Sequence, residues 1–364
     1  MGVISKITFA HMGPYSPAFA LLLGELGHEV ILPQRPSKQT LTLGSSYGPE
    51  FACIPLKIVL GTFIEALDKG ADLLLTSGGV GPCRAGLYAT IQKEVLESLG
   101  YRFEMIVLEP IRRHPWDLIR SIWRLNEARR PPWAMVDIFR RTWAMITELD
   151  NLERRLHWIR PRELKPGLAD AIYNDGVKAI GKEHTMAGIK EQGRKTLAAM
   201  NEVPIDEQRD PVRIGIVGEI YVLLEPSANL GIERILGELG VEVHRSIFLT
   251  NWTQENVVQE GRRVPAGQVA RPYLAEMVGG HGQESIGHTI MYANEGLDGV
   301  IQLAPFTCIP EIVAKSILPQ VSADYDIPFI SFFLDEQTGE AGFRTRLEAF
   351  VDLLARRRAN RQSA

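Results

Sequence analysis

Residues 212–248 read VRIGIVGEIYVLLEPSANLGIERILGELGVEVHRSIF, and this stretch decides the fold. A buried β-rich run gives way to a turn at Gly218, an apolar-periodic helix follows, and a second strand closes the unit. Residues 6–37, KITFAHMGPYSPAFALLLGELGHEVILPQRPS, carry the same plan: a short β-rich run, a turn at Gly13-Pro14, a helix, and a second strand at Glu29 to Leu32. The two units share a phrase, LGELGHEV ending at Val30 and LGELGVEV ending at Val243. Strands alternating with helices predict an α/β fold with parallel sheets covered on both faces.

A second pair of segments strengthens the repeat. From Leu60, LGTFIEALDKGADLLLTSGGVGPCR gives a helix, Gly70-Ala71-Asp72, a buried strand and a glycine-rich loop containing Cys83. From Ile286, IGHTIMYANEGLDGVIQLAPFTCIPE gives a helix, Gly296-Leu297-Asp298, a buried strand and a loop containing Cys308. Asp72 and Asp298 stand 226 residues apart, and the same offset carries Cys308 to within one residue of Cys83. Two cysteines thus occupy matching places in two halves. The offset also pairs Gly279 with Cys53, so the second half carries glycine where the first carries a thiol, as one asymmetric site requires.

The chain of 364 residues exceeds one comfortable core and predicts two. Hydrophobic residues at 45%, charged residues at 23% and a net charge of -4 are ordinary soluble usage and argue against a nucleic-acid partner. MGVISKITFAHMG has no long apolar run behind a basic segment, so it does not read as a secretory signal. No apolar run reaches the roughly 18 to 20 residues of a membrane span. Three cysteines, an odd and small number, argue against a disulfide framework and fit a reducing, cytoplasmic compartment.

The predicted organisation is a first α/β domain at 1–110, a helical connecting region at 111–205 and a second α/β domain at 206–364. In the connecting region PWDLIRSIWRLNEA and WAMVDIFRRTWAMITELDNLERRLHWI both show helical spacing, separated at Pro131-Pro132, and Lys165 to Val203 reads as further helix. Its arginines alternate with acidic residues and read as a solvated face. Pro204 to Pro211 forms a linker, and the chain ends with strand IPFISFFLDE, loop TGEAGF and helix TRLEAFVDLLARRRANRQ.

Ligands bind outside the C-terminal ends of parallel strands, where Cys83 and Cys308 sit and where the loop with Cys53 also belongs. A single free cysteine usually packs as a small hydrophobe. Here all three lie beside Pro or Gly, in Cys53-Ile54-Pro55, Gly81-Pro82-Cys83 and Cys308-Ile309-Pro310, where packing does not demand them. Zinc normally takes four ligands with short C-x-x-C pairs, and this chain has none. A cubane cluster accepts widely separated thiolates, and three of them leave one iron open.

The segments GPEFACIP, TSGGVGPCRAGLY, GEIYVLLEPSANLGIERILGELGVEV, DGVIQLAPFTCIPEI and IPFISFFLDEQTGEAGFRTRLEAFVDLL resemble the 2-hydroxyacyl-CoA dehydratase and benzoyl-CoA reductase family of iron–sulfur proteins. The resemblance is to its compact branch, described as acyl-CoA dehydratase activase-related or CoA-protein activase. It covers most of the chain, least in the helical middle. It implies two Rossmann-like parallel-sheet domains facing a central cleft, and a [4Fe-4S] cluster held by Cys53, Cys83 and Cys308. It further implies a homo- or heterodimer and a separate ATP-hydrolysing activator that injects a low-potential electron. In the true dehydratases that electron reaches an acyl-CoA thioester, forms a ketyl radical and enables loss of a hydroxyl group. This chain has no G-x-x-x-x-G-K-[ST] phosphate loop and is not read as the ATPase. Two further readings stand beside the enzyme component: a non-catalytic electron-transfer or accessory protein, and a two-domain small-molecule binding protein with inert cysteines.

Glu219, Tyr221 and Asn229 follow the first strand of the second half and are candidates to face the cleft as proton donor and hydrogen-bonding groups. Asn229 equally fits a helix N-cap. His11 to Ser16 is the matching turn of the first half. Gly279-Gly280-His281-Gly282-Gln283-Glu284-Ser285 is either an anion-receiving helix start for a CoA phosphate or an ordinary turn, with His281 as an exposed loop residue or a fourth ligand. Asp335-Glu336 and Arg344 to Arg346 read as a structural ion-pair network.

Overall fold

The structure is a computed structural model that describes residues 4–79, 83–109, 115–255 and 265–363. The turn immediately before Cys83, residues 80–82, and the start of the predicted helical middle, residues 111–114, lie outside the described residues.

The first half runs β1 (Lys6–Phe9), α1 (Ser16–Glu25), β2 (Glu29–Val30), α2 (Lys38–Tyr47), α3 (Ile54–Asp68), β3 (Leu73–Ser77), α4 (Tyr88–Ser98) and β4 (Glu104–Leu108). Four helices follow: α5 (Pro115–Leu125), α6 (Pro132–Ile159), α7 (Leu168–Ile180) and α8 (Met186–Asn201). The second half runs β5 (Val212–Gly218), α9 (Ile220–Leu224), α10 (Ile232–Glu238), β6 (Val241–Arg245), α11 (Leu249–Thr253), α12 (Pro265–Val269), α13 (Gly282–Asn294), β7 (Gly299–Pro305), α14 (Ile309–Asp324), β8 (Phe329–Leu334) and α15 (Glu340–Ser363). The second strand of the opening unit stops at Val30, two residues short of the predicted end. The stretch from Lys165 to Val203 divides into α7 and α8 at Gly181 to Thr185, whose Thr185 hydroxyl caps α8.

Two four-stranded, all-parallel sheets result, in the orders β2-β1-β3-β4 and β6-β5-β7-β8. The fold is therefore α/β with two Rossmann-like sheets, and the two orders are the same. Equivalent carboxylates fix equivalent registers: Asp72 accepts the Lys6 amide at 2.7 Å, and Asp298 accepts the Arg213 amide at 2.8 Å. Both side chains satisfy a strand-end amide that the ladder leaves unpaired.

The 226-residue offset recurs where helices cross. A Cβ on Gly61 of α3 would lie 1.9 Å from the Thr40 carbonyl oxygen of α2, and one on Gly287 of α13 would lie 1.8 Å from the Ala266 carbonyl oxygen of α12. Gly61 with Gly287, and Thr40 with Ala266, are again 226 apart. Glycine is required at both places because backbone meets backbone without room for a side chain.

Helix α3 is buried along almost its whole length, from Ile54 to Leu67. It belongs to a core that also takes in Met145 to Ile159 of α6 and Ile214, Ile216, Ile301 and Leu303 of the second sheet. The long helix thus packs against both halves. A smaller core lies on the first sheet, where Leu125 of α5 and Met135 and Ile138 of α6 meet Ile7, Phe9, Leu73 and Ile106. Among the described residues no helix is long and apolar enough to cross a membrane.

Gly61→Val and Gly287→Val should each cost about 2 to 4 kcal/mol by forcing a helix pair apart. Gly24→Ala, where an added Cβ meets nothing within 4 Å, should be neutral or stabilise by about 0.5 kcal/mol. Urea midpoints of the three variants against the parent chain check both signs.

Candidate functional site

Each cysteine stands at the N-cap of a helix with extended backbone: Cys53 before α3, Cys83 before the short 3₁₀ turn Arg84–Leu87 that leads into α4, and Cys308 before α14. In α3 and α14 the next residues are Ile-Pro, so proline sits in the first turn, where a missing amide hydrogen costs nothing. Cys83 follows β3 and Cys308 follows β7, the matching central strands of the two sheets.

All three cysteines line one pocket, together with Arg84, Ala85, Tyr88, Glu219, Pro305, Thr307, Ile309 and Pro310. The pocket draws on both halves. Its free space is about 50 Å³, room for a few waters. The Tyr88 hydroxyl lies against Cys53 Sγ, so a larger occupant needs that ring to turn aside.

One guanidinium connects the three cysteine-bearing loops. Arg84, next to Cys83, donates from Nη1 to the Phe51 carbonyl at 2.9 Å, and from Nη2 to the carbonyl and hydroxyl of Thr307 at 2.7 and 2.8 Å. The Thr307 hydroxyl donates on to the Phe51 carbonyl at 3.2 Å. Phe51 is two residues before Cys53, and Thr307 is one before Cys308. Thr307 has φ of 68°, a left-handed conformation that a β-branched residue enters only under constraint. The Arg84 fork holds both of its oxygens. A second tie crosses nearby, where buried Lys57 of α3 reaches Glu336 at 2.5 Å.

Burial is the dominant electrostatic influence on the thiols. It pushes Cys53 up to about 11, against a smaller pull downward from Tyr88, the Leu56 amide and Arg84. Burial also raises Cys83 and Cys308, with the Ala85 and Glu311 amides opposing and the Glu219 carboxyl adding to the rise. The metal-free thiols are thus neutral near pH 7, and a soft cation must displace their protons on binding. Three helix-type N-termini aim partial positive charge at the pocket, which suits an occupant of net negative charge.

Donor spacing separates one ion from several. Among the described residues, the only three His, Cys, Asp or Glu ligand atoms within 4.8 Å of one another are those of Glu153, His157 and Glu233. The sulfurs of Cys53, Cys83 and Cys308 are not all within that distance of one another. The Glu153–His157–Glu233 group already holds a cation, because Arg245 donates to both Glu153 and Glu233. Burial alone would raise Glu233, but Arg245, His157 and Arg160 hold it down to about 2.

Of the other predicted residues, only Glu219 reaches the cysteine pocket. Gly218 places it there: with φ of 145° and no Cβ, this glycine passes against the Leu303 carbonyl, where a side chain would clash at 1.8 Å. Burial raises the Glu219 carboxyl, against opposing pulls from the Val222 and Tyr221 amides and from His281. Tyr221 is buried outside the pocket lining, and its hydroxyl has no hydrogen-bond partner among the described residues. Asn229 is committed at both ends: Nδ2 donates to the Val222 carbonyl, and Oδ1 accepts from the Gly231 and Ile232 amides. Asn229 is not the expected N-cap, since α10 begins at Ile232 with Gly231 in that place; its amide instead fixes the turn that leads into the helix and has no group left for a ligand.

His281 is not an exposed loop residue. It stands at the N-cap position of α13 and its Nε2 accepts from the Trp252 indole at 3.1 Å, while Nδ1 is buried and has no partner among the described residues. Burial lowers its pKa, with Glu219 opposing. His281, not Gly279, immediately precedes α13 as Cys53 precedes α3, because α13 begins two residues later than the offset implies. The glycines beside it serve close packing: a Cβ on Gly282 would lie 2.3 Å from the Pro310 carbonyl oxygen of α14. The expected ion-pair network of Asp335 and Glu336 with Arg344 to Arg346 does not form: Asp335 accepts from Thr338 and Gln337, Glu336 pairs with Lys57, Arg344 with Glu348, and Arg346 donates to the Ser331 carbonyl.

Sequence reasoning passed over Arg84, Tyr88, Thr307 and Glu311, although all four lie within five residues of a cysteine. Glu311, in the first turn of α14, is fully buried and accepts from Ser285 and Gln302. Burial lifts its carboxyl to about 7 despite those donors. No family model matches the chain, and no curated protein matches it.

Two measurements follow from the shifted groups. In metal-free protein the alkylation of Cys53, followed by peptide mass spectrometry, should rise through about pH 11 rather than at the ordinary thiol value. Glu311 has a folded pKa above its unfolded one, so it favours the folded state most at low pH and withdraws that favour as pH rises from about 4.5 through 7. Glu311→Gln should therefore flatten the stability profile over that window and raise stability at pH 8 by about 2 to 3 kcal/mol, read from urea midpoints.

Proposed function

We propose that this chain is an iron–sulfur protein of the 2-hydroxyacyl-CoA dehydratase and benzoyl-CoA reductase type, in which Cys53, Cys83 and Cys308 hold one [4Fe-4S] cluster. The observation that carries the reading is that three cysteines remote in sequence line one pocket, each at the N-terminus of a helix. The donor set suits the group: three thiols in one pocket lining, with backbone amides at Cys53 and Cys308 that favour the charged sulfur. Such a cluster supplies one-electron transfer and, with three protein ligands, an iron open to an exogenous ligand.

The residues of the chain then have distinct tasks. Arg84 fixes the three cysteine loops relative to one another. Glu219 brings to the pocket lining a carboxyl whose neutral form burial favours. Tyr88 covers Cys53 and limits water. In this reading a separate ATP-hydrolysing activator delivers the low-potential electron, and the acceptor is an acyl-CoA thioester.

A second reading is a non-catalytic electron-transfer or accessory protein, in which the site between the cysteines takes the cluster and no substrate. The two readings share the cluster and differ in ligand binding.

Anaerobic purification should give a brown protein with about four irons and four sulfides per chain. Alanine at any one of the three cysteines should remove most of the iron. Arg84→Gln, which keeps every thiol, should bind cluster but lose it faster to a chelator. Iron-free anaerobic protein of unchanged stability would end the cluster reading. If a panel of acyl-CoA thioesters leaves the EPR spectrum of the reduced cluster unmoved, the accessory reading stands in place of the enzyme.

A further inference from the structure

A cavity of about 340 Å³ lies between α6 and β6 and shares no lining residue with the cysteine pocket. Its volume suits a small organic ligand. One wall is β6, the outermost strand of its sheet. Glu242, Val243, His244 and Arg245 all line the space, although successive side chains point to opposite faces, so the cavity runs along the outer edge of the strand. Arg154 and Trp158 of α6 form another wall, and Phe248 and Tyr292 complete it.

Two aromatic rings here seat four arginines. The guanidiniums of Arg154 and Arg245 lie 3.9 and 4.2 Å from the centre of the Phe248 ring, and those of Arg155 and Arg162 lie 4.1 and 4.5 Å from the centre of the Trp158 ring. Stacking of this kind orients the planar fork before any ligand arrives. Two of the four are already neutralised: Arg245 by Glu153 and Glu233, and Arg162 by Glu242 at 2.6 Å. The histidines of the cavity also face carboxylates, His157 at Glu233 and His244 at Glu242.

Arg154 and Arg155 are the remainder, and among the described residues neither pairs with a carboxylate. Arg154 lines the cavity and spends one of its five N–H groups, from Nη2 to the Asn251 side-chain oxygen at 3.0 Å. Arg155 borders the cavity through Trp158, and its Nε is buried with no partner among the described residues. Burial, and then the charge of Arg162, disfavour its charged form. Two adjacent arginines without counter-ions leave two positive charges for an occupant.

A phosphate monoester carries close to two negative charges near pH 7 and accepts on three oxygens, which matches two guanidinium forks; a carboxylate brings half the charge. Val243 and Tyr292 supply apolar surface for the rest of the molecule. We infer that the cavity between α6 and β6 binds a small organic phosphate monoester, held by Arg154 and Arg155. The inference does not rest on the cluster reading. Because α6 packs in the cores of both halves, the bound ester ties that helix to the second sheet.

Isothermal titration calorimetry of the full-length chain with phenyl phosphate, at about pH 7.5, should show one site with Kd on the order of 100 μM or tighter. Inorganic phosphate, which lacks the apolar part, should bind about threefold or more weakly, and phenol should not bind. Arg154→Gln and Arg155→Gln should each raise the Kd of phenyl phosphate about tenfold. Arg194→Gln, which removes a guanidinium paired with Glu191 on the surface of α8, should leave it unchanged. If Arg154→Gln does not fold, Arg154→Lys, which keeps the charge and loses the fork, should bind more weakly in a folded chain. Phenyl phosphate should also raise the melting temperature of the parent more than that of either glutamine variant. No binding of phenyl phosphate at about 5 mM overturns the inference. So does binding that is unchanged by the arginine substitutions, or an ester that binds no better than inorganic phosphate or phenol.

Discussion

The Arg84 guanidinium is the contact on which the site depends. Its planar fork reaches carbonyls on two loops that are more than 250 residues apart in sequence, and each recipient lies within two residues of a cysteine. A lysine at this position keeps the charge but cannot hold two carbonyls and a hydroxyl in one plane. The left-handed Thr307 is held in the same contact, so the strain of that residue and the position of Cys308 are set together.

Around this clamp the site follows from helix physics. The first amides of a helix lack internal partners and concentrate partial positive charge. Placing Cys53, Cys83 and Cys308 at three such starts gives sulfurs that are neutral when buried alone and readily served by amides when they carry charge. The Ile-Pro that follows two of them sharpens the helix start without losing a hydrogen bond. Glu219 and Glu311 are the counterweight: both are carboxyls whose burial favours the proton, close to a pocket where further negative charge is unwelcome.

The duplicated architecture explains why the pocket is asymmetric. The two sheets share one strand order, and the same offset relates Asp72 to Asp298, Gly61 to Gly287 and Thr40 to Ala266. Cys83 and Cys308 follow equivalent strands. At the third place the halves differ: Cys53 caps α3, while His281 caps α13 and is engaged by Trp252. The first half therefore contributes two thiols to the pocket and the second half contributes one.

Sequence alone determined the strand-helix alternation and the duplicated plan, because local apolar period and turn residues act over short range, and it singled out the three cysteines that the fold places in one pocket lining. It also identified Glu219 by its place after a glycine-ended strand. It did not separate Glu219 from Asn229, since a turn-fixing amide and a ligand-facing amide have the same spacing, and only the partners of Asn229 decide. Nor did it locate Arg84 and Thr307, whose roles exist only once two remote loops are adjacent. Burial likewise moved His281 out of solvent and raised Glu311, because desolvation depends on what packs around a group in three dimensions and leaves no trace in the order of residues.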